Sequence, residues 1–207
     1  MRLLRARLLA VLLGAGVGAL APAAREASAS VSIAVTFDGL LRETSAAVLV
    51  TPSEQRAVWE NERIYTYTRV HVDRGIAGEL ATGGDAWVRT MGGIVGKIGH
   101  AVDGEAVLTV GRPCLLFLHP GPVGAFEVTA RAQGQFPLVA DANAANATAA
   151  IRVIRSGAVG ALLPPKTPAQ RPAPLALQPL AADVIHGRLV DDVARDVSAA
   201  WASAHAK

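Results

Sequence analysis

The side chains best suited to binding lie in one strand-like segment, Arg63–Asp73, and in a shorter one, Asp85–Met91. The first segment is rich in β-branched and aromatic residues, and side chains two positions apart share one face of a strand. Aromatic and arginine side chains on a sheet surface are typical binding anchors. Alternation therefore predicts a candidate ligand face that consists of Tyr65, Tyr67, Arg69, His71, Trp87 and Arg89.

The opposite face of Arg63–Asp73 carries Ile64, Val70 and Val72, which suit a barrel interior. A second interpretation of the tyrosines is that they pack beneath another element, since aromatics in small β-domains usually serve packing. The covering element would be the glycine-rich loop Gly92–Gly99, predicted to form a hairpin or flap, or the C-terminal helix. Both interpretations stay open at this point.

Motifs of the common enzyme classes are missing from the sequence. Gly96-Lys97 does not complete a phosphate loop, because Ile98 stands where Ser or Thr is required. No Gly-x-Ser-x-Gly elbow occurs. The histidines have no metal-ligand spacing: His71, His100, His119, His186 and His205. We therefore predict no catalytic residue, no metal and no cofactor.

The first 29 residues have the features of a secretory signal peptide. Three arginines precede an apolar run, Leu8–Leu20, and a small-x-small cleavage site follows at Ala27–Ala29. The apolar run is shorter than the roughly 20 residues of a spanning helix. We expect cleavage before Ser30 and a secreted or periplasmic protein, of bacterial origin by its Ala, Gly and Arg content, without a membrane anchor.

Removal of this segment changes the charge balance. Four of the 20 basic residues and one of the 17 acidic residues lie in it, so 16 of each remain. The remaining charges form no basic run, and we predict no nucleic-acid partner. The single cysteine, Cys114, lies between apolar neighbours and is predicted to be a buried, inert thiol.

The segment from residue 30 to 141 is predicted to be one β-domain. It opens with a strand, Val31–Phe37, and a helical turn capped by Asp38. A bulge is expected at Pro52, which cannot donate to a strand ladder. The remaining predicted strands are Ala46–Trp59, Arg63–Asp73, Asp85–Met91, Val110–His119 and a final hairpin of Phe126–Ala130 with Gln133–Val139.

An Ala/Pro-rich linker is predicted over residues 142–179, with helical character at Ala147–Arg155. Residues 180–207 are predicted to form an amphipathic helix, continuous over Leu180–Ala204. Its apolar stripe must be buried on the β-domain or on a partner. The stripe consists of Ile185, Leu189, Val193, Val197 and Trp201.

Two segments, Val70–Gly78 and Val110–Leu118, with a glycine-rich excursion between them, resemble the OB-fold domains of bacterial secreted proteins. They are similar, more remotely, to netrin-like and tissue-inhibitor-of-metalloproteinases modules. The resemblance covers Ala46–Val139 and implies a mainly β fold, a small OB-like closed or partly open β-barrel. The chain lacks the amino-terminal cysteine and the disulfides of the inhibitor family, so no functional residue is transferred.

The functional expectation is a secreted, non-enzymatic β-barrel module that binds an unidentified protein or other extracellular ligand. Two alternatives stay open: a hydrolase with an unrecognised site, and a structural component of the cell envelope. An enzyme would need a concave pocket with convergent polar groups.

Overall fold

The computed structural model describes residues 31–140, 150–165 and 178–206, so the predicted signal peptide lies outside the described residues. The helices are α1 (Phe37–Glu43), α2 (Ala181–Ile185) and α3 (Val190–Ala204). The strands are β1 (Val31–Ile33), β2 (Ala46–Glu60), β3 (Arg63–Gly78), β4 (Asp85–Met91), β5 (Gly93–Val95), β6 (Ile98–His100), β7 (Cys114–Pro120), β8 (Phe126–Val128), β9 (Gln135–Ala140), β10 (Ile151–Val153) and β11 (Ala161–Leu163).

Five strands close into a barrel, which confirms the predicted fold class. β7, β2, β3, β4 and β8 lie side by side in that order, and β8 pairs back onto β7. β4 and β8 run parallel, whereas the other barrel neighbours are antiparallel. This closed five-stranded arrangement is of the OB type. β9 and β10 extend the sheet outward from the first half of β7.

Two separate cores result, because both faces of β2 and β7 are apolar. Inward side chains such as Val50, Val70 and Leu116 fill the barrel. Outward side chains such as Leu49 and Phe117 pack against the three helices. The helix layer is therefore part of the fold, and the apolar stripe of the C-terminal segment is buried on its own domain.

The C-terminal segment differs from the single helix predicted over Leu180–Ala204. The chain breaks at Gly187, whose φ of 80° lies in the left-handed region. α3 then begins after Leu189, which forms a bridge to Arg152 of β10. Gly187 can adopt this conformation at no steric cost. The apolar stripe keeps its i+4 spacing across the break, so the sequence pattern alone predicts one continuous helix.

The predicted linker contains two strands. The segment predicted as helical, Ala147–Arg155, holds β10 instead, because Ile151–Val153 pairs with β9 and buries Val153. β11 pairs in parallel with β1. Residues 141–149 and 166–177, which include three of the six prolines of the predicted linker, lie outside the described residues.

Two further local predictions are corrected. The predicted strand Val31–Phe37 ends at Ile33, and α1 is capped by Thr36 rather than by Asp38, since the Thr36 hydroxyl accepts from the Gly39 N–H at 3.1 Å. The predicted final hairpin is absent from the described residues. β8 pairs with β4 and β7, and β9 pairs with β7 and β10. The left-handed residues Ala130 and Arg131 turn the chain away from β8.

A ribbon formed by the β2–β3 hairpin extends beyond the end of β7, and β4 flanks it along Tyr65–His71. β7 pairs with β2 only over Ala46–Val50, and the predicted irregularity at Pro52 is confirmed by a register shift there. The predicted flap is the β5–β6 hairpin. It crosses the ribbon so closely that a Cβ on Gly93 would lie 2.4 Å from the Thr66 hydroxyl oxygen.

The buried thiol of Cys114 is expected to resist labelling in the native protein. Burial in the barrel core, aided by the charge of Asp73, raises the pKa of Cys114 to about 12, so almost no reactive thiolate exists at pH 8. We expect a chromogenic disulfide reagent to react only as fast as the protein unfolds, and immediately in denaturant. Rapid stoichiometric labelling without denaturant would contradict this placement.

Candidate functional site

The six predicted residues lie together on the outside of the barrel. In the β3–β4 register Tyr67 is opposite Arg89, and Arg69 is opposite Trp87. Their alternating neighbours on β3, among them Ile64 and Thr68, are buried. The alternation in the sequence thus predicted correctly which side chains share the outer face.

Arg89 organises the half of the face that lies near the tip of the ribbon. Its Nη2 and Nε donate to Glu60 Oε2 at 2.8 and 3.2 Å, and its Nη1 donates to Glu127 Oε1 at 2.6 Å. The guanidinium carbon lies 3.4 Å from the ring centroid of Tyr65. Only 10% of the Arg89 side chain is exposed, so its guanidinium is largely shielded from water.

Tyr67 completes the network. Its hydroxyl donates to Glu60 Oε1 at 2.6 Å, and the residue is only 8% exposed although it lies outside the barrel. The hydrogen bond from Tyr67, together with Arg89, holds the pKa of Glu60 below its ordinary value despite the opposing effect of burial. Burial and the bond to Glu60 raise the pKa of Tyr67. At neutral pH Glu60 is therefore ionised and Tyr67 is a donor.

The other half of the face is solvated. Asp85 accepts from Arg69 Nη2 at 2.7 Å and lies 3.0 Å from His71 Nδ1. These contacts, first with His71 and then with Arg69, lower the pKa of Asp85. All three side chains are about half exposed, so the pairing contributes little to stability.

Besides Asp85, which lies opposite His71, the predicted face omitted three residues on other strands: Arg56, Glu60 and Glu127. Glu127 reaches it through the parallel pairing of β8 with β4, which leaves no local sequence signal. The positions of Arg56 and Glu60 can be deduced from the Asn61-Glu62 turn. Pairing the two strands residue by residue from this turn places Glu60 opposite Arg63 and Arg56 opposite Tyr67. Arg56 lies over two aromatic rings, at 5.7 Å from the centroid of Tyr67 and 5.0 Å from that of Trp87.

Neither predicted covering element accounts for the tyrosines. The flap packs against the other side of the ribbon, where its Gly93 meets Ala57, Ile64 and Thr66. The helices pack on outward residues of β2 and β7, and the helix core contains neither tyrosine. Among the described residues, the ring and hydrogen-bond contacts of Tyr65 and Tyr67 are with Arg56, Glu60 and Arg89.

A buried carboxylate away from this face, Glu105, gives the protein a testable pH dependence. Burial raises the pKa of Glu105, while the N–H of Ala106 and the guanidinium of Arg131 at 3.8 Å oppose this effect only in part. A raised pKa in the folded state means that stability falls as the pH rises through it. We expect E105Q to raise the melting temperature at pH 8 and to lose this advantage near pH 4.

The control for that prediction is E127Q, because Glu127 is paired with Arg89 and its loss breaks an ion pair. E127Q should destabilise the protein at pH 8. Thermal unfolding of both variants from pH 4 to pH 8 provides the measurement. If E105Q were as destabilising as E127Q at pH 8, the ionised Glu105 would be a stabilising group and the stated sign would be wrong.

Within residues 31–140, 150–165 and 178–206, none of the helices combines the length and the apolar character of a membrane-spanning segment. Comparison with known proteins gives no relative for this chain: no family model, no curated protein and no solved structure matches it.

Proposed function

We propose that the chain is an exported, non-enzymatic binding module that takes a protein or other extracellular ligand on the outer face of β3 and β4. The observation that carries the proposal is that aromatic and arginine side chains are held in place on an outer surface that neither the flap nor the helices cover. Trp87 and Arg69 are partly exposed there, beside the rigid Arg89 network. Preorganised anchors of this kind bind with little loss of side-chain entropy.

The charges of the face favour a protein ligand over a polyanion. Arg69 is paired with Asp85, and Arg89 is paired with Glu60 and Glu127, so these cations are already neutralised. A nucleic-acid site would instead present unpaired cations to successive phosphates. Small β-barrels of the OB type commonly bind ligands on this strand pair.

The test replaces two tryptophans separately and measures both stability and ligand capture. W87A removes a partly exposed anchor, so we expect a change of about 1 kcal/mol or less in the free energy of unfolding. Capture of the partner from native cell and medium fractions should fall about thirtyfold, as for a binding hot spot worth roughly 2 kcal/mol.

The matched control is W59A. Trp59 is 50% exposed and pairs with Ile64, so it lies on the side of the ribbon that faces away from the proposed site. W59A should therefore leave capture unchanged. Y67A should reduce stability as well as capture, because Tyr67 bonds to Glu60. Equal capture by W87A and W59A, quantified by mass spectrometry against the unmodified protein, would contradict the proposed face.

A further inference from the structure

The arginines of the ligand face differ in whether they form an ion pair with a carboxylate of the chain. Arg69 and Arg89 are both bonded to carboxylates of the chain. Arg56 is exposed, and within the described residues its ring contacts with Tyr67 and Trp87 are accompanied by no ion pair. Glu54, the nearest acidic residue along β2, faces Arg69 across the β2–β3 ladder.

The guanidinium carbon of Arg56 lies over both rings. Both centroids lie within the roughly 6 Å at which a cation is attracted to an aromatic face. Within the described residues the guanidinium donates no hydrogen bond, so its N–H groups can bind a carboxylate through two parallel hydrogen bonds. The aromatic support restricts the side chain before a ligand arrives.

We propose that Arg56 selects the ligand of this face by binding a single Glu or Asp side chain of a peptide segment in the partner protein. The inference rests on the proposed function, since it names the chemistry that the same face recognises. A single free arginine suits an isolated Glu or Asp. Glu54, Glu60, Asp85 and Glu127 lie on the same face and disfavour a continuous chain of phosphates.

The experiment titrates the full mature chain with a blocked pentapeptide, Thr-Val-Glu-Val-Thr, and follows the indole N–H signal of Trp87 by NMR. The same peptide with Gln in place of Glu is the neutral control. We expect a dose-dependent shift with the Glu peptide, and a response about tenfold weaker with the Gln peptide or with R56Q, as the loss of a charge-assisted hydrogen bond implies. R56K keeps the charge but loses the planar pair of N–H donors that matches a carboxylate, so it should give an intermediate response.

The matched variant is R63Q, which removes an exposed arginine at the ribbon tip that contacts no aromatic ring of the described residues. R63Q should respond within twofold of the unmodified protein. The inference is overturned if R63Q weakens binding as much as R56Q, if the Gln peptide binds equally well, or if the Glu peptide produces no shift. A six-nucleotide thymidine strand that binds with the same dependence on Arg56 would also overturn it, in favour of nucleic acid.

Failure of this inference is distinguishable from failure of the proposed function. If W87A loses partner capture while R56Q retains it, the face binds its partner without selecting a carboxylate. If neither variant loses capture, the ligand lies elsewhere on the molecule and both proposals fail.

Discussion

Replacing Arg89 with methionine is expected to lower the free energy of unfolding by about 2–3 kcal/mol. Removing one partner of a fully buried ion pair typically costs roughly 3–5 kcal/mol. The value expected here is smaller, because Glu60 and Glu127 keep 27% and 34% of their side-chain surface exposed. Methionine preserves much of the apolar stem over Tyr65 but leaves both carboxylates without their cation.

Urea unfolding of R89M and of R69M provides the measurement. Arg69 lies on the same face but forms an exposed pair with Asp85, so R69M should cost at most about 1 kcal/mol. Equal destabilisation by the two variants would mean that Arg89 does not organise the face. The contrast separates the residue that holds the surface in place from an exposed arginine of the same face.

The second large effect is expected at Phe117, where F117A should cost about 3–5 kcal/mol. Phe117 is fully buried on the outward side of β7 and meets the ring of Phe136 edge-on, at a centroid distance of 5.9 Å. It belongs to the core that joins the barrel to the helices. A cavity at this position removes packing between the two layers.

The comparison for Phe117 is F126A, a partly buried residue at the edge of the barrel core. F126A should cost distinctly less, and both values can be read from the same thermal or urea unfolding curves. If F117A were no more destabilising than F126A, the helix layer would contribute little to the stability of the barrel.

The local pattern of the sequence was sufficient to predict the strands of the face. Alternation in β3 assigned Tyr65 and Tyr67 to one side, and a two-residue turn after Glu60 fixes the register of the ribbon. The same reasoning predicted the irregularity at Pro52, because proline lacks an N–H for the ladder. These features depend on residues close to one another in the chain.

The features that escaped prediction depend on contacts between distant parts of the chain. Glu127 reaches Arg89 only because β8 runs parallel to β4, a pairing that closes the barrel. β10 forms because β9 offers it an edge, although its surroundings are rich in alanine. The break at Gly187 is fixed by the bridge between Leu189 and Arg152. Periodicity within one segment carries no information on such pairings.

The most direct test of the central claim, that the outer face of β3 and β4 is a ligand site, is photocrosslinking in the native cells. A benzophenone amino acid replaces His71 in one strain and Arg195 in another. His71 lies on the face with 50% of its side chain exposed, and Arg195 lies on α3 with 72% of its side chain exposed. We expect one discrete adduct from position 71 and none from position 195; an adduct from position 195 alone, or none from either, would show that the face is not a ligand site.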